Sequence, residues 1–333
     1  MNGQWISALL CAASVAVSGD AVSYKKDKEI PLPGSGGFDY LSVDAAGRRL
    51  LVAHSSCVEV LDIDKGEVVG KVEGLEGAHG AIIVADVDKG FATSGRKNML
   101  LVFDPKTLKV TKEIATGANP DAVLYVATTK EVWTMNHTGG TITCVDSGTL
   151  EVKATIEVGG KLEFAQEYAA KGLVFVNAED KSTVGVIDAK AHKLTTSIPL
   201  APAAEPTGMA CDQKNGLLFC GCDKMLAVVD IASGKVIATP AIGGGCDAVA
   251  FDADKGLVFA SCGDGTTSIV RVVDAKTFEA AGVIETAPGA RTCTLDAKTH
   301  KLYVGAGTRG KDDVRVLVFA PESKPAPASA PKK

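Results

Sequence analysis

Apolar and polar residues alternate along this chain in short runs, with no helical stripe longer than a turn after the first twenty or so positions. Residues 159–188, GGKLEFAQEYAAKGLVFVNAEDKSTVGVID, hold one complete copy of the pattern. A glycine pair and a polar residue (Glu163) lead into an alternating run. A Lys-Gly turn, the run Leu-Val-Phe-Val ending at Asn177, a polar loop and a last apolar run closing on Asp188 follow. Runs of this length bounded by Gly, Asn, Asp and Ser predict β-strands. In the stretch before it, strands are expected at 122–126, 132–135, 141–145 and a weaker 152–158, separated by Gly139-Gly140 and Ser147-Gly148 turns.

The closing aspartate recurs as Asp62, Asp104, Asp146, Asp188, Asp230 and Asp274, at intervals of 42, 42, 42, 42 and 44 residues. Four strands in about 42 residues is the content of one propeller blade. The expected fold is therefore an all-β, seven-bladed β-propeller of four-stranded blades over residues 22–320, with units starting near Phe38, Ala78, Asn119, Lys161, Ala204, Cys246 and Ala290. Two β-sandwiches would also supply short strands but would not require a constant interval. The last unit has only three strands (TCTLD, KLYVG, VRVLVF), and residues 22–33, VSYKKDKEIPLP, read as the missing fourth. A ring closed in this way leaves no unpaired edge, so a monomer is expected. The absence of a helical pattern excludes a βαβ nucleotide fold, and Gly243-Gly244-Gly245 lacks the helix and lysine of a phosphate loop.

Composition narrows the function. A net charge of -5, from 35 basic and 40 acidic residues, and 5% aromatics argue against nucleic acid as a partner. No run approaches the roughly 20 apolar residues of a membrane span. Residues 1–20 contain an apolar stretch from Trp5 to Val17 followed by small residues, the pattern of a secretory signal peptide, though the first basic side chain is Lys25. The protein is expected to be periplasmic or secreted. Residues 321–333, rich in Pro, Ala and Lys, read as a disordered tail. Of nine cysteines, several sit in apolar strand patterns as small hydrophobes, and Cys220-Gly221-Cys222 does not have the spacing of a zinc knuckle.

In-register repeats place equivalent residues on one ring. At the start of the first strand these are Asp39, His79, Asp121, Glu163, Glu205, Asp247 and Arg291, all polar or ionisable. The first strand of a blade lines the central channel, so the seven are expected to form a collar around one mouth. Five carboxylates there oppose one another's ionisation, which calls for raised pKa values, water, an Arg291 bridge or a bound cation. A second ring comes from the end of the second strand: His54, Ser94, Asn136, Asn177, Cys220, Cys262 and Ala306. Together the rings suggest an all-oxygen calcium or magnesium site from Asp121, Asn136, Glu163, Asn177 and Glu205. His54 and His79 flank it as candidate general bases. His137 faces the same loop side, whereas His192 and His300 read as solvated turn residues. The closing aspartates read as turn caps without chemistry.

The segments GGKLEFA (159–165), VNAEDKS (176–182), EPTG (205–208), CDAVAFDADKGLVFAS (246–261), GDG (263–265) and GARTCTLDAKTHKLYV (289–304) resemble the YncE-like, YVTN-repeat seven-bladed propellers of bacteria. The resemblance covers about residues 22–320. It implies an exported binding or surface protein without a settled enzymatic role. The leading expectation is a binding module holding a small ligand, a divalent cation or a partner segment at an acidic channel mouth. The alternatives are a metal-dependent hydrolase, by fold-level analogy with lactonase propellers, or a lyase at the same mouth, and an interaction scaffold with no small-molecule site.

Overall fold

Seven four-stranded antiparallel sheets follow one another along the chain, as the 42-residue interval predicts. The computed structural model describes residues 21–34, 36–308 and 311–322, so the expected signal peptide (1–20) and most of the expected tail lie outside the described residues. The first strands of the blades are Phe38–Asp44, Ala78–Val84, Pro120–Val126, Leu162–Tyr168, Met209–Asp212, Cys246–Asp252 and Cys293–Asp296. Each touches the next, and the seventh returns to the first, so the sheets form a closed ring. Among the described residues the only helical elements are single 3₁₀ turns, and no helix is long and apolar enough to cross a membrane.

Closure comes from the amino-terminal segment. Tyr24–Pro31 pairs antiparallel with Arg315–Pro321 as the outermost strand of the seventh blade. The Glu322 backbone N–H donates to the Ser23 carbonyl, and the Leu32 N–H to the Val314 carbonyl. The last strand thus runs one residue into the stretch read as tail.

Burial grades outward across each blade. In the third blade, Glu131–Asn136 is buried at every position because neighbouring blades cover both of its faces, while the outer strand Val152–Glu157 buries little beyond Ile156. This is why the second and third strands read as continuous apolar runs and the fourth as a weak alternation. Seven apolar clusters fill the blade-to-blade interfaces, with Trp133 between blades three and four, and Phe259 and Phe319 between six and seven. Close approach limits side-chain choice at Gly208 of the EPTG segment: a Cβ there would lie 2.6 Å from the Ala248 Cα in the next blade.

The repeated aspartates cap turns, as expected. Asp62 accepts from the backbone N–H groups of Asp64 and Lys65, Asp104 from Lys106 and Thr107, and Asp146 from Gly148 and Thr149. These donors hold all three carboxyls below their ordinary range.

Candidate functional site

A sharp local feature marks the collar. The ladder between first and second strands breaks register at Phe38/Leu41, Ala78/Ala81, Pro120/Val123, Leu162/Ala165 and Cys246/Ala248. The irregularities contain Asp39, His79, Asp121, Glu163 and Asp247, respectively. A bulge leaves a residue unpaired and re-aims its side chain. Here it turns polar groups from five blades into the channel, where a regular strand would alternate them away.

These five and Arg291 line one cavity of about 180 Å³, together with Tyr40, Asn119 and His137. Its chemistry is concentrated in blades one to four. His79 Nδ1 lies 2.7 Å from Asp39 Oδ2 and 3.0 Å from Asp121 Oδ1. His137 Nδ1 lies 2.9 Å from Glu163 Oε1, and the Tyr40 hydroxyl donates to Glu163 Oε2 at 3.0 Å. Asp121 and Glu163 hydrogen-bond to each other. Two donor triads result, Asp39–His79–Asp121 and Asp121–His137–Glu163, each with its ligand atoms within 4.8 Å of one another, and Asp121 belongs to both. Across the channel, Arg291 Nε donates to Asp247 Oδ2.

Electrostatics follow from this crowding. Burial, then the charges of Glu163, Asp39 and Asp247, pushes the Asp121 carboxyl well above its ordinary range. Burial raises Asp247 to about 6 even though Arg291 opposes the shift. The hydrogen bond to Glu163 raises His137 against the effect of its own burial. Burial, with Glu163 and Asp121 beside it, keeps the Tyr40 hydroxyl protonated and therefore a donor.

The remaining sequence candidates are placed elsewhere. Glu205 is exposed and has a left-handed backbone (φ 56°). It precedes Pro206, and the fifth blade's first strand begins only at Met209, so equal spacing along the chain does not carry it into the collar. It lines a neighbouring depression with Glu179 and Asp223. The second ring faces the blades rather than the channel. Asn136 Nδ2 donates to Thr141 Oγ1 and Thr143 Oγ1 of its own blade at 2.9 and 3.0 Å, and its Oδ1 accepts from Thr134. Asn177 Nδ2 donates to the Thr207 and Gly208 carbonyls of the next blade at 2.9 and 3.1 Å. Both side chains are fully buried. Of the five expected oxygen donors, the structure brings together only Asp121 and Glu163. His54 is also buried away from the collar, beside Glu59.

Two histidines read as solvated are instead bound across blade interfaces: His192 Nε2 lies 2.8 Å from Glu131 Oε2, and His300 Nδ1 lies 2.7 Å from Asp252 Oδ2. Their carboxylate partners come from neighbouring blades, which no local pattern reveals. Tyr40 and Asn119 did not stand out in the sequence. Tyr40 follows Asp39 directly, and strict alternation would turn it away. The double glycine before Phe38, marking an irregular strand start, is the available signal.

No protein-family model matches the chain, and no curated protein matches it in sequence. Among solved structures it is similar to Kuenenia stuttgartiensis Hydrazine Synthase, with a TM-score of 0.74 and 12% identity, covering 89% of this chain and 99% of that chain. At that identity the likeness shows the propeller fold alone.

Proposed function

We propose that this propeller is an exported binding module that holds a divalent cation at its channel mouth, with Asp39, His79, Asp121, His137 and Glu163 as donors. The observation that carries the reading is the position of Asp121, a buried carboxyl shared between two His–carboxylate pairs. Four carboxyls and one guanidinium in a small cavity leave an acidic surplus that a cation would offset. Two imidazoles among the donors favour a first-row transition ion such as zinc, manganese or ferrous iron over calcium or magnesium, which select oxygen. The volume of about 180 Å³ is below the roughly 300 Å³ where drug-sized ligand pockets begin. It suits an ion with its waters or a ligand of a few heavy atoms. The resemblance to YncE-like propellers supports a binding role, and the hydrazine synthase likeness lends no activity.

Metal analysis and calorimetry test this proposal directly. Wild-type protein stripped of metal should take up zinc or manganese, and the double variant His79→Ala/His137→Ala should bind one equivalent fewer while remaining folded. Equal uptake by both proteins would refute it. Lactone and ester hydrolysis assayed with metal restored separates a catalyst from a binder at the same mouth.

A further inference from the structure

A second constellation, unrelated to the channel mouth, sits in the first blade. Strands Arg49–His54 and Cys57–Asp62 form a tight hairpin in which His54 pairs with Cys57 and Val52 with Glu59. Pairing across the ladder and a two-residue step along one strand put His54, Cys57 and Glu59 on the same face. Cys57 Sγ lies 3.5 Å from Glu59 Oε1, and His54 Nδ1 lies 3.8 Å from that same oxygen. All three donor atoms fall within 4.8 Å of one another.

His54 is 3% exposed and Glu59 2%. Both ring nitrogens of His54 and the Oε2 of Glu59 are buried without a hydrogen-bond partner. A buried imidazole and carboxylate left in this condition are costly, and metal coordination is one of the few ways such groups are satisfied. Glu131, Cys144 and His192 provide an internal control: the same three residue types cluster there too. In that cluster Glu131 Oε2 accepts from Thr129 Oγ1 and Trp133 Nε1 at 3.1 and 2.8 Å and pairs with His192 Nε2 at 2.8 Å, so its acceptor needs are met by protein. In the first-blade cluster the Cys57 thiol donates weakly to Glu59 Oε1, and no described residue satisfies Glu59 Oε2 or either ring nitrogen of His54.

We infer that His54 Nδ1, Cys57 Sγ and Glu59 Oε1 form a separate site for one borderline divalent cation, with zinc its natural occupant. Zinc with bonds of about 2.3 Å to sulfur and about 2.0–2.1 Å to nitrogen and oxygen has tetrahedral edges of roughly 3.3–3.6 Å, close to the 3.5 and 3.8 Å that separate Glu59 Oε1 from Cys57 Sγ and His54 Nδ1. Binding replaces the Cys57 thiol proton, which is released to solvent, and the metal–sulfur bond forms in its place. A fourth position is left for water or an incoming ligand.

Cobalt substitution reads this site without interference from the mouth, whose donors include no sulfur. Wild-type protein loaded with cobalt(II) should show a thiolate-to-cobalt charge-transfer band in the near ultraviolet. The band should persist in Asp121→Asn and vanish in Cys57→Ser, with one metal equivalent lost. A wild type without the band, or a band surviving Cys57→Ser, overturns the inference. A measurement needing no variant is alkylation followed by mass spectrometry. Cys57 and Cys211 are both half-buried; zinc should protect Cys57 alone, and equal labelling of Cys57 with and without zinc refutes the site.

Discussion

The two sides of the collar start from equivalent positions in the repeat and end with different chemistry. Blades one to four turn Asp39, His79, Asp121 and Glu163 inward from register breaks, and His137 and Tyr40 close on them. Blades five to seven contribute an exposed Glu205 and an Asp247–Arg291 ion pair that already neutralises itself. In blade five the divergence is one of local backbone, whereas in blade six, whose Asp247 also sits at a register break, it comes from the Arg291 partner. Where the first strand is long enough to be bulged at the mouth, its polar residue points into the channel. Where Pro206 delays the strand to Met209, the same kind of residue stays at the surface. At Glu205 the repeat position supplies no group to the cavity, because the strand starts four residues later.

Substitutions along the collar should reproduce this asymmetry. Asp121→Asn should weaken zinc or manganese binding by about 100-fold or more, since both triads lose their shared donor. It should also stabilise the metal-free fold by on the order of 1 kcal/mol, because a carboxyl held unfavourably in the native state is removed. Calorimetric titration and thermal denaturation would record both effects. Glu163→Gln should cost about 10-fold to 100-fold in affinity and leave only one of His137 and Tyr40 with an oxygen acceptor.

Next in size is a pH effect at Asp247. Its native pKa of about 6 lies above the ordinary aspartate value, so its stabilising contribution is complete below pH ~4 and is lost as pH rises through about 6. That loss is on the order of 3 kcal/mol. Denaturant titrations of metal-free wild type should therefore show stability falling over this window, with a shallower fall in Asp247→Asn. Glu205→Gln should change metal affinity less than about twofold, the size expected of a surface charge outside the site. An effect matching that of Glu163→Gln would abolish the distinction between the two sides.

The ring itself was legible because its signals are local and repeated. The aspartate caps a turn by bonding to backbone two and three residues on, and the graded burial of four strands writes itself into each 42-residue unit. The amino-terminal strand was legible from a deficit, three strands where Cys293–Pro321 needed four. Six of the seven collar residues line the cavity because the phase of the repeat places them there. The donor set was not legible. Asn136 and Asn177 lie at the close of their strands on the face turned toward neighbouring threonines and carbonyls, a choice set by blade packing. Tyr40 enters through a bulge that alternation does not anticipate. His192, His300 and Glu131 owe their partners to contacts between blades, over sequence separations that short patterns do not span.

The most direct test is anomalous X-ray diffraction at the zinc edge from crystals grown with the ion. A peak within about 2.0–2.2 Å of the Asp121 carboxylate and of a His79 or His137 nitrogen is the expected result. Density for ordered water alone among Asp39, His79, Asp121, His137 and Glu163, with zinc bound only elsewhere, would contradict a cation-binding mouth.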